Sequence, residues 1–147
     1  MKINRRILLA VSVVALVAIS ASAQVYKYYA PGSVWTITSI RIKPGMDQAY
    51  ISYLDGQFKS SEDAQVKAGY QKSYKILRTM DDDADSYNLI ILREYASLAS
   101  MEANTEKADA LSMQTVGDDT KQMQGYEDRS KIREIISTRT ARELMLK

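Results

Sequence analysis

Neither cysteine nor histidine occurs anywhere in the 147 residues. Disulfides are therefore excluded, and stability must come from packing of a core. Thiolate and histidine zinc sites are excluded with them. So are Ser-His-Asp and Cys-His nucleophile systems and haem held by a proximal histidine. Any chemistry rests on Tyr, Asp, Glu, Lys, Arg, Ser or Thr, on a bound cofactor, or on the shape of a pocket. A membrane-spanning run is lacking too: the apolar stretch 7–19 falls short of the roughly 20 residues a bilayer requires. No cysteine follows that stretch, so a lipid-modified N-terminus is excluded. Internal repeats and low-complexity segments are absent.

What is present at the N-terminus is a secretory signal. Lys2, Arg5 and Arg6 precede the apolar stretch, and Ser20, Ala21, Ser22 and Ala23 follow it as a small-x-small cleavage site. Residues 4–9 match a twin-arginine signal only in part, so general export of an unfolded chain is expected. Cleavage between Ala23 and Gln24 leaves a periplasmic or secreted protein of 124 residues with no stable membrane anchor, large enough for one domain with a real core. The full chain has 20 basic and 18 acidic residues; losing Lys2, Arg5 and Arg6 brings the mature chain to a formal charge of −1. Its remaining basic residues are scattered, which gives nucleic acid no track to follow.

Along the mature chain, residues 24–33 read as an exposed leader containing Tyr26, Tyr28 and Tyr29 and ending in a Pro-Gly turn signal. The rest, 34–147, reads as a single domain. Residues 34–43 are rich in β-branched types and form a strand, with Val34, Thr36, Thr38, Ile40 and Ile42 on one side and Trp35, Ile37, Ser39, Arg41 and Lys43 on the other. Pro44-Gly45 ends it. Residues 46–68 carry a helical stripe of Met46, Tyr50, Tyr53, Leu54 and Phe58, interrupted by Gly56 and stopped by Gly69. A second strand is expected over 70–79 and a third, apolar on both sides, over 87–95. Ser97 is placed to cap a helix over 98–116 with Leu98, Met101, Ala108 and Leu111 inward. A short polar helix with loop over 118–130 and a last strand within 132–146 complete the chain. Met101, Met113 and Met123 read as core fillers.

The order strand, helix, strand, strand, helix, strand predicts an α+β, ferredoxin-like βαββαβ domain with a four-stranded antiparallel sheet and both helices on one face. The apolar second side of the third strand needs a cover, and a second copy of the chain supplies it most simply. The segment Ile40-Arg41-Ile42-Lys43-Pro44-Gly45 leading into a helix resembles the opening of dimeric α+β barrel proteins. Arg93-Glu94-Tyr95 followed by Ala96-Ser97 resembles the aromatic-then-helix junction of that superfamily. Its relatives include the antibiotic-biosynthesis monooxygenase-like group and haem-degrading monooxygenases. The resemblance implies that Tyr95 lines a pocket between sheet and helices. Thr38 stands where the monooxygenase-like members carry an amide, and the haem-degrading members' helix-two histidine has no counterpart here.

Two residue groups are candidate sites. Tyr95, Arg93 and Thr38 would line one pocket, with Tyr95 as proton donor or stacking platform and Arg93 as anion anchor; against this, Tyr95 could be a packed aromatic and Arg93 could pair with a carboxylate at the sheet edge. Trp35 and Arg41 suit stacking or an anionic ligand between subunits, or simply anchor an interface. Asp81, Asp82, Asp83 and Asp85 read as a solvated hairpin turn, since a calcium loop starting at Asp81 would require Gly at Ser86 and Glu at Leu92. No metal and no cofactor is expected. The functional expectation is an exported, dimeric small-molecule-binding protein taking a hydrophobic or anionic ligand. The alternatives are a metal-free oxygenase or isomerase acting on a hydrophobic substrate, and an association protein without a pocket. Catalytic residues are not assigned, because no nucleophile–base pair is visible.

Overall fold

The computed structural model describes residues 27–80 and 86–147. The signal peptide, the cleavage point between Ala23 and Gln24, Tyr26, and the aspartates at 81, 82, 83 and 85 lie outside the described residues. The described residues fall into two compact units: Ser33–Glu143, and residues 27–32 with Leu144–Lys147.

The chain forms β1 (Tyr29–Ile42), α1 (Asp47–Tyr53), a π-helical turn (Leu54–Phe58), α2 (Lys59–Lys67), β2 (Ser73–Arg78) and β3 (Leu89–Tyr95). Then follow α3 (Leu98–Ala103), α4 (Thr105–Thr115), α5 (Asp119–Ile132) and β4 (Arg133–Leu146). The strands lie in the order β2-β3-β1-β4, with β3 antiparallel to both neighbours. This is the expected βαββαβ arrangement. Gly45, at φ 77°, makes the left-handed turn out of β1 that residues with a Cβ rarely adopt. β1 starts at Tyr29, five residues inside the segment expected as a leader, and Ser33 is buried. The reason is a distant partner: the Lys147 N–H, just past β4, donates to the Tyr28 carbonyl, just before β1, at 3.1 Å.

Gly56 sits inside the π turn. Residues four apart drift around a regular α-helix, which turns every 3.6 residues. A π turn, bonded i→i+5, rotates less per residue and offsets that drift. Tyr50, Leu54 and Phe58 consequently stay in one line and are all buried. They pack on Ile40, Ile42, Leu89 and Ile91, with Tyr53, Tyr74 and Ile132 at the margin. Each fully buried aliphatic or aromatic side chain here contributes about 1.5–3 kcal/mol. Successive rings meet at 5.7 Å (Tyr50–Tyr53), 6.2 Å (Tyr53–Phe58) and 5.9 Å (Phe58–Tyr74).

The later helices are different. None of α3, α4 and α5 contains a fully buried residue. Asn104 breaks the expected single helix in two, adopting φ −103° and ψ 0°. Asparagine suits that position because its amide competes with helical backbone bonding. The expected N-cap is present, with Ser97 Oγ accepting from the Ser100 N–H at 3.0 Å. The polar stretch expected as a short helix and loop is instead a full helix, α5, capped by Asp118, which accepts from the Lys121 N–H. Met113 (48 % exposed) and Met123 (65 %) are not core fillers, and Leu98 does not point inward, because these helices cover the sheet loosely. Among the described residues no helix is long and apolar enough to cross a membrane.

The register separates two sheet faces. On the helix side Ile40 pairs with Leu89, Thr38 with Ile91, Thr36 with Arg93, and Val34 with Tyr95. On the opposite side Ser39 pairs with Ile90, Ile37 with Leu92, and Trp35 with Glu94; Leu77, opposite Ile90 on β2, is 46 % exposed.

Candidate functional site

Glu62 extends the Tyr50–Leu54–Phe58 line by one more step of four, and it is buried. A carboxylate there requires a partner, since an unpaired buried charge is very costly. Arg93 on β3 supplies it: Nε donates to Oε1 and Oε2 at 3.0 and 2.9 Å, and Nη2 donates to Oε1 at 2.7 Å. Gln71 Nε2 adds a third donor at 2.9 Å. Burial works against the charge of Arg93, but the hydrogen bond and charge of Glu62 outweigh it and raise the guanidinium pKa above its ordinary value. The same guanidinium lies 5.4 Å from the Phe58 ring centre.

Beside this pair is a half-open cavity of about 350 Å³, lined by Arg93 of β3, by Tyr53, Phe58 and Glu62, and by Val116, Tyr126 and Arg129 of the later helices and their connection. Gln57, Ser61, Gln65, Ser112 and Gln122 add polar groups to its wall. The Arg129 guanidinium stacks over Tyr53 at 4.8 Å. A neighbouring groove of about 400 Å³ is lined by Lys43, Tyr126, Arg133 and Ile135. There the Lys43 ammonium donates to the Ser130 carbonyl at 2.9 Å, and Arg133 lies over the Tyr50 and Tyr126 rings at 5.8 and 5.9 Å. Burial pushes the Tyr50 hydroxyl up to about 12, so it stays protonated.

The sequence candidates do not come together in one place. Arg93 lines the 350 Å³ cavity. Tyr95, two residues on and on the same face, lines a separate pocket of about 170 Å³ with Met101, Asn104 and Ala108. Its hydroxyl pKa is raised by burial. Thr38 is buried, with Oγ1 3.5 Å from Thr138 Oγ1, and lines neither cavity. The three therefore do not share one pocket, and the carboxylate that holds Arg93 comes from a helix instead of a sheet edge. Trp35 and Arg41 share the opposite face but stand about 20 Å apart along the strand at roughly 3.3 Å per residue. Lys75 Nζ is 5.7 Å from the Trp35 ring, while Arg41 Nε donates to the Ser86 carbonyl at 3.0 Å and Nη1 reaches Glu134 at 3.5 Å. Glu62, Tyr126 and Arg129 escaped the sequence reading, which placed Tyr53 only in the helix's apolar stripe. The signal for Glu62 was available, as a lone carboxylate continuing an apolar line; the pair Tyr126 and Arg129 in a polar helix carried none.

Among the described residues no three His, Cys, Asp or Glu side chains form a metal-binding group. No protein-family model matches the chain, and no curated protein matches it. Solved structures do. A dimeric ferredoxin-like protein from an uncultured marine organism matches at a TM-score of 0.50 and 16 % identity, over 80 % of this chain and 98 % of that one. The fold is ferredoxin-like. HapK from Hahella chejuensis is similar at a TM-score of 0.49 and 11 % identity, covering 75 % of this chain and 91 % of its own. A dimeric ferredoxin-like protein from Thermobifida fusca gives 0.41 and 10 %, over 81 % and 96 %. In this ferredoxin-like frame the helix side of the sheet carries the cavity, and the other side remains an apolar surface.

Proposed function

We propose that the protein is an exported homodimer that binds a small molecule between its sheet and its helices. The carrying observation is the 350 Å³ cavity, whose volume lies in the range of small-molecule sites and whose polar wall carries the rings of Tyr53, Phe58 and Tyr126. Dimerisation is supported by the sheet's second face, where Ile37, Ile90 and Leu92 are only half-buried and Leu77 is exposed. Isologous pairing of two such faces would cover them. The marine and Thermobifida fusca neighbours are themselves described as dimeric. Export rests on the basic, apolar and small-residue sequence of residues 1–23. Binding is favoured over catalysis because Arg93 is committed to Glu62 and Tyr95 faces a different cavity.

Native mass spectrometry of the protein expressed with its own N-terminus and recovered from outside the cytoplasm tests all three parts. The expected species is a dimer of chains beginning at Gln24, with a defined additional mass. An unprocessed cytoplasmic chain would overturn export, and a monomer at micromolar concentration would overturn the dimer. Ile37→Asp should give a folded monomer. If it remains dimeric, the interface is elsewhere.

A further inference from the structure

Three arginines lie close to the cavities, and they are not equivalent. Arg93 is neutralised by Glu62. Arg133 lines the neighbouring groove outside this cavity; its Nε is buried without a hydrogen-bond partner, and the Glu134 beside it pairs with Arg41 instead. Arg129 lines the cavity itself, and no carboxylate pairs with it among the described residues. Its Nε is buried with no hydrogen-bond partner in the protein. The adjacent Asp128 forms no ion pair with it; its Oδ1 accepts from Lys131 at 2.7 Å and from Gln124 at 3.2 Å. The ionic groups lining the cavity are thus Arg93, Glu62 and Arg129, and they sum to one uncompensated positive charge.

We infer that the cavity takes a small aromatic monocarboxylate, with Arg129 as its anchor. This rests on the reading of the cavity as a small-molecule site. A guanidinium presents a planar fork of donors that matches a carboxylate in two-point fashion. The cation–π contact of Arg129 with the Tyr53 ring at 4.8 Å holds the guanidinium beside the cavity before any ligand arrives. Between the polar groups of the wall, Tyr53, Phe58 and Tyr126 offer ring faces and edges to a flat apolar body. A dianion such as a phosphate monoester would exceed the single available charge. Arg129 also lies in the last turn of α5, where a cation favours the helix dipole. That role alone would be indifferent to ligand charge.

The test compares two isosteric probes, 1-naphthoate and the uncharged 1-naphthamide, by calorimetric titration of the exported dimer and its Arg129→Gln and Arg129→Lys variants. The Arg129 Nε–H signal in a nitrogen–proton correlation spectrum is followed in parallel. Naphthoate should bind at least tenfold more tightly than naphthamide and shift the Nε–H signal. Arg129→Gln should abolish the preference with an unchanged circular dichroism spectrum, and Arg129→Lys should restore part of it. If both probes bind equally, or naphthoate binds without moving the Nε–H signal, the anchor is wrong while small-molecule binding stands. If neither binds at millimolar concentration, the cavity is not such a site and the inference falls with that reading.

Discussion

Arg93 and Glu94 are neighbours in β3, yet alternation along the strand sends them to opposite faces of the sheet and into opposite electrostatic regimes. Arg93 meets the buried Glu62 in a two-point ion pair under the helices, with side chains 26 % and 4 % exposed. Glu94 accepts from Lys72, Ser33 and Ser73, each at 2.6 Å, with the lysine half in water. Their apolar neighbours divide the same way. Leu89 and Ile91 are sealed by Tyr50, Leu54 and Phe58, whereas Ile90 and Leu92, of equal hydrophobicity, stay half-covered. One set of strands therefore supplies two apolar faces, and the chain's own helices close only one. Stability belongs mainly to the first face, and the proposed association to the second.

The largest test of that division is a matched pair of truncations. Leu89→Ala should cost about 2–5 kcal/mol in urea denaturation, as a buried large-to-small change does. Leu92→Ala should cost far less in the monomer and act chiefly on the dimer's dissociation constant. Equal losses would mean that the two faces are equally sealed.

Next is the buried ion pair. Glu62→Gln leaves Arg93 without its counter-charge and should destabilise by about 3 kcal/mol, the low end for a buried pair because Arg93 is partly exposed. Glu94→Gln, on the solvated face, should cost about 1 kcal/mol or less. Guanidinium and urea melts of both variants would measure the contrast, and a Glu94 effect as large as that of Glu62 would erase it.

The smallest effect is in pH. The Lys72 hydrogen bond, helped by Ser33 and Ser73, holds the Glu94 carboxyl at about 2, below its ordinary 4.5. A depressed folded-state pKa supplies stability that is fully present above about 4.5 and is lost as pH falls toward 2. Solvent screening at the half-exposed lysine keeps this on the order of 1 kcal/mol. Urea midpoints measured between pH 5 and 2 should fall more steeply in the wild type than in Glu94→Gln; parallel curves would remove Glu94 as the cause.

Much of the fold was legible. The β-branched run before Pro44-Gly45, the apolar line from Tyr50 to Phe58, the Ser97 cap and the two-sided third strand each have a local cause, and together they fix the βαββαβ order. The site was legible only in part. Arg93 and Tyr95 were found as polar and aromatic residues on the helix side of a strand, but which cavity each faces depends on where α4 and α5 pass. Those helices have no buried stripe, so their sequence does not report their docking. Glu62 could have been found as a charge on an apolar line, whereas Arg129 could not, because an arginine in a polar helix looks solvated until its neighbours are known.

The sequence by itself determined the absence of thiol and imidazole chemistry, the alternation that gives the sheet two apolar faces, and the order of elements. These follow from side-chain chemistry and short-range periodicity. Only the tertiary structure decided that residues 29–33 join β1, that Gly56 lies in a π turn aligning Tyr50, Leu54 and Phe58, and that Arg93 is spent on Glu62 while Arg129 is left unpaired beside Tyr53. Each of these depends on partners distant in the chain or on the bonding of a whole helix turn, and local sequence carries no term for either.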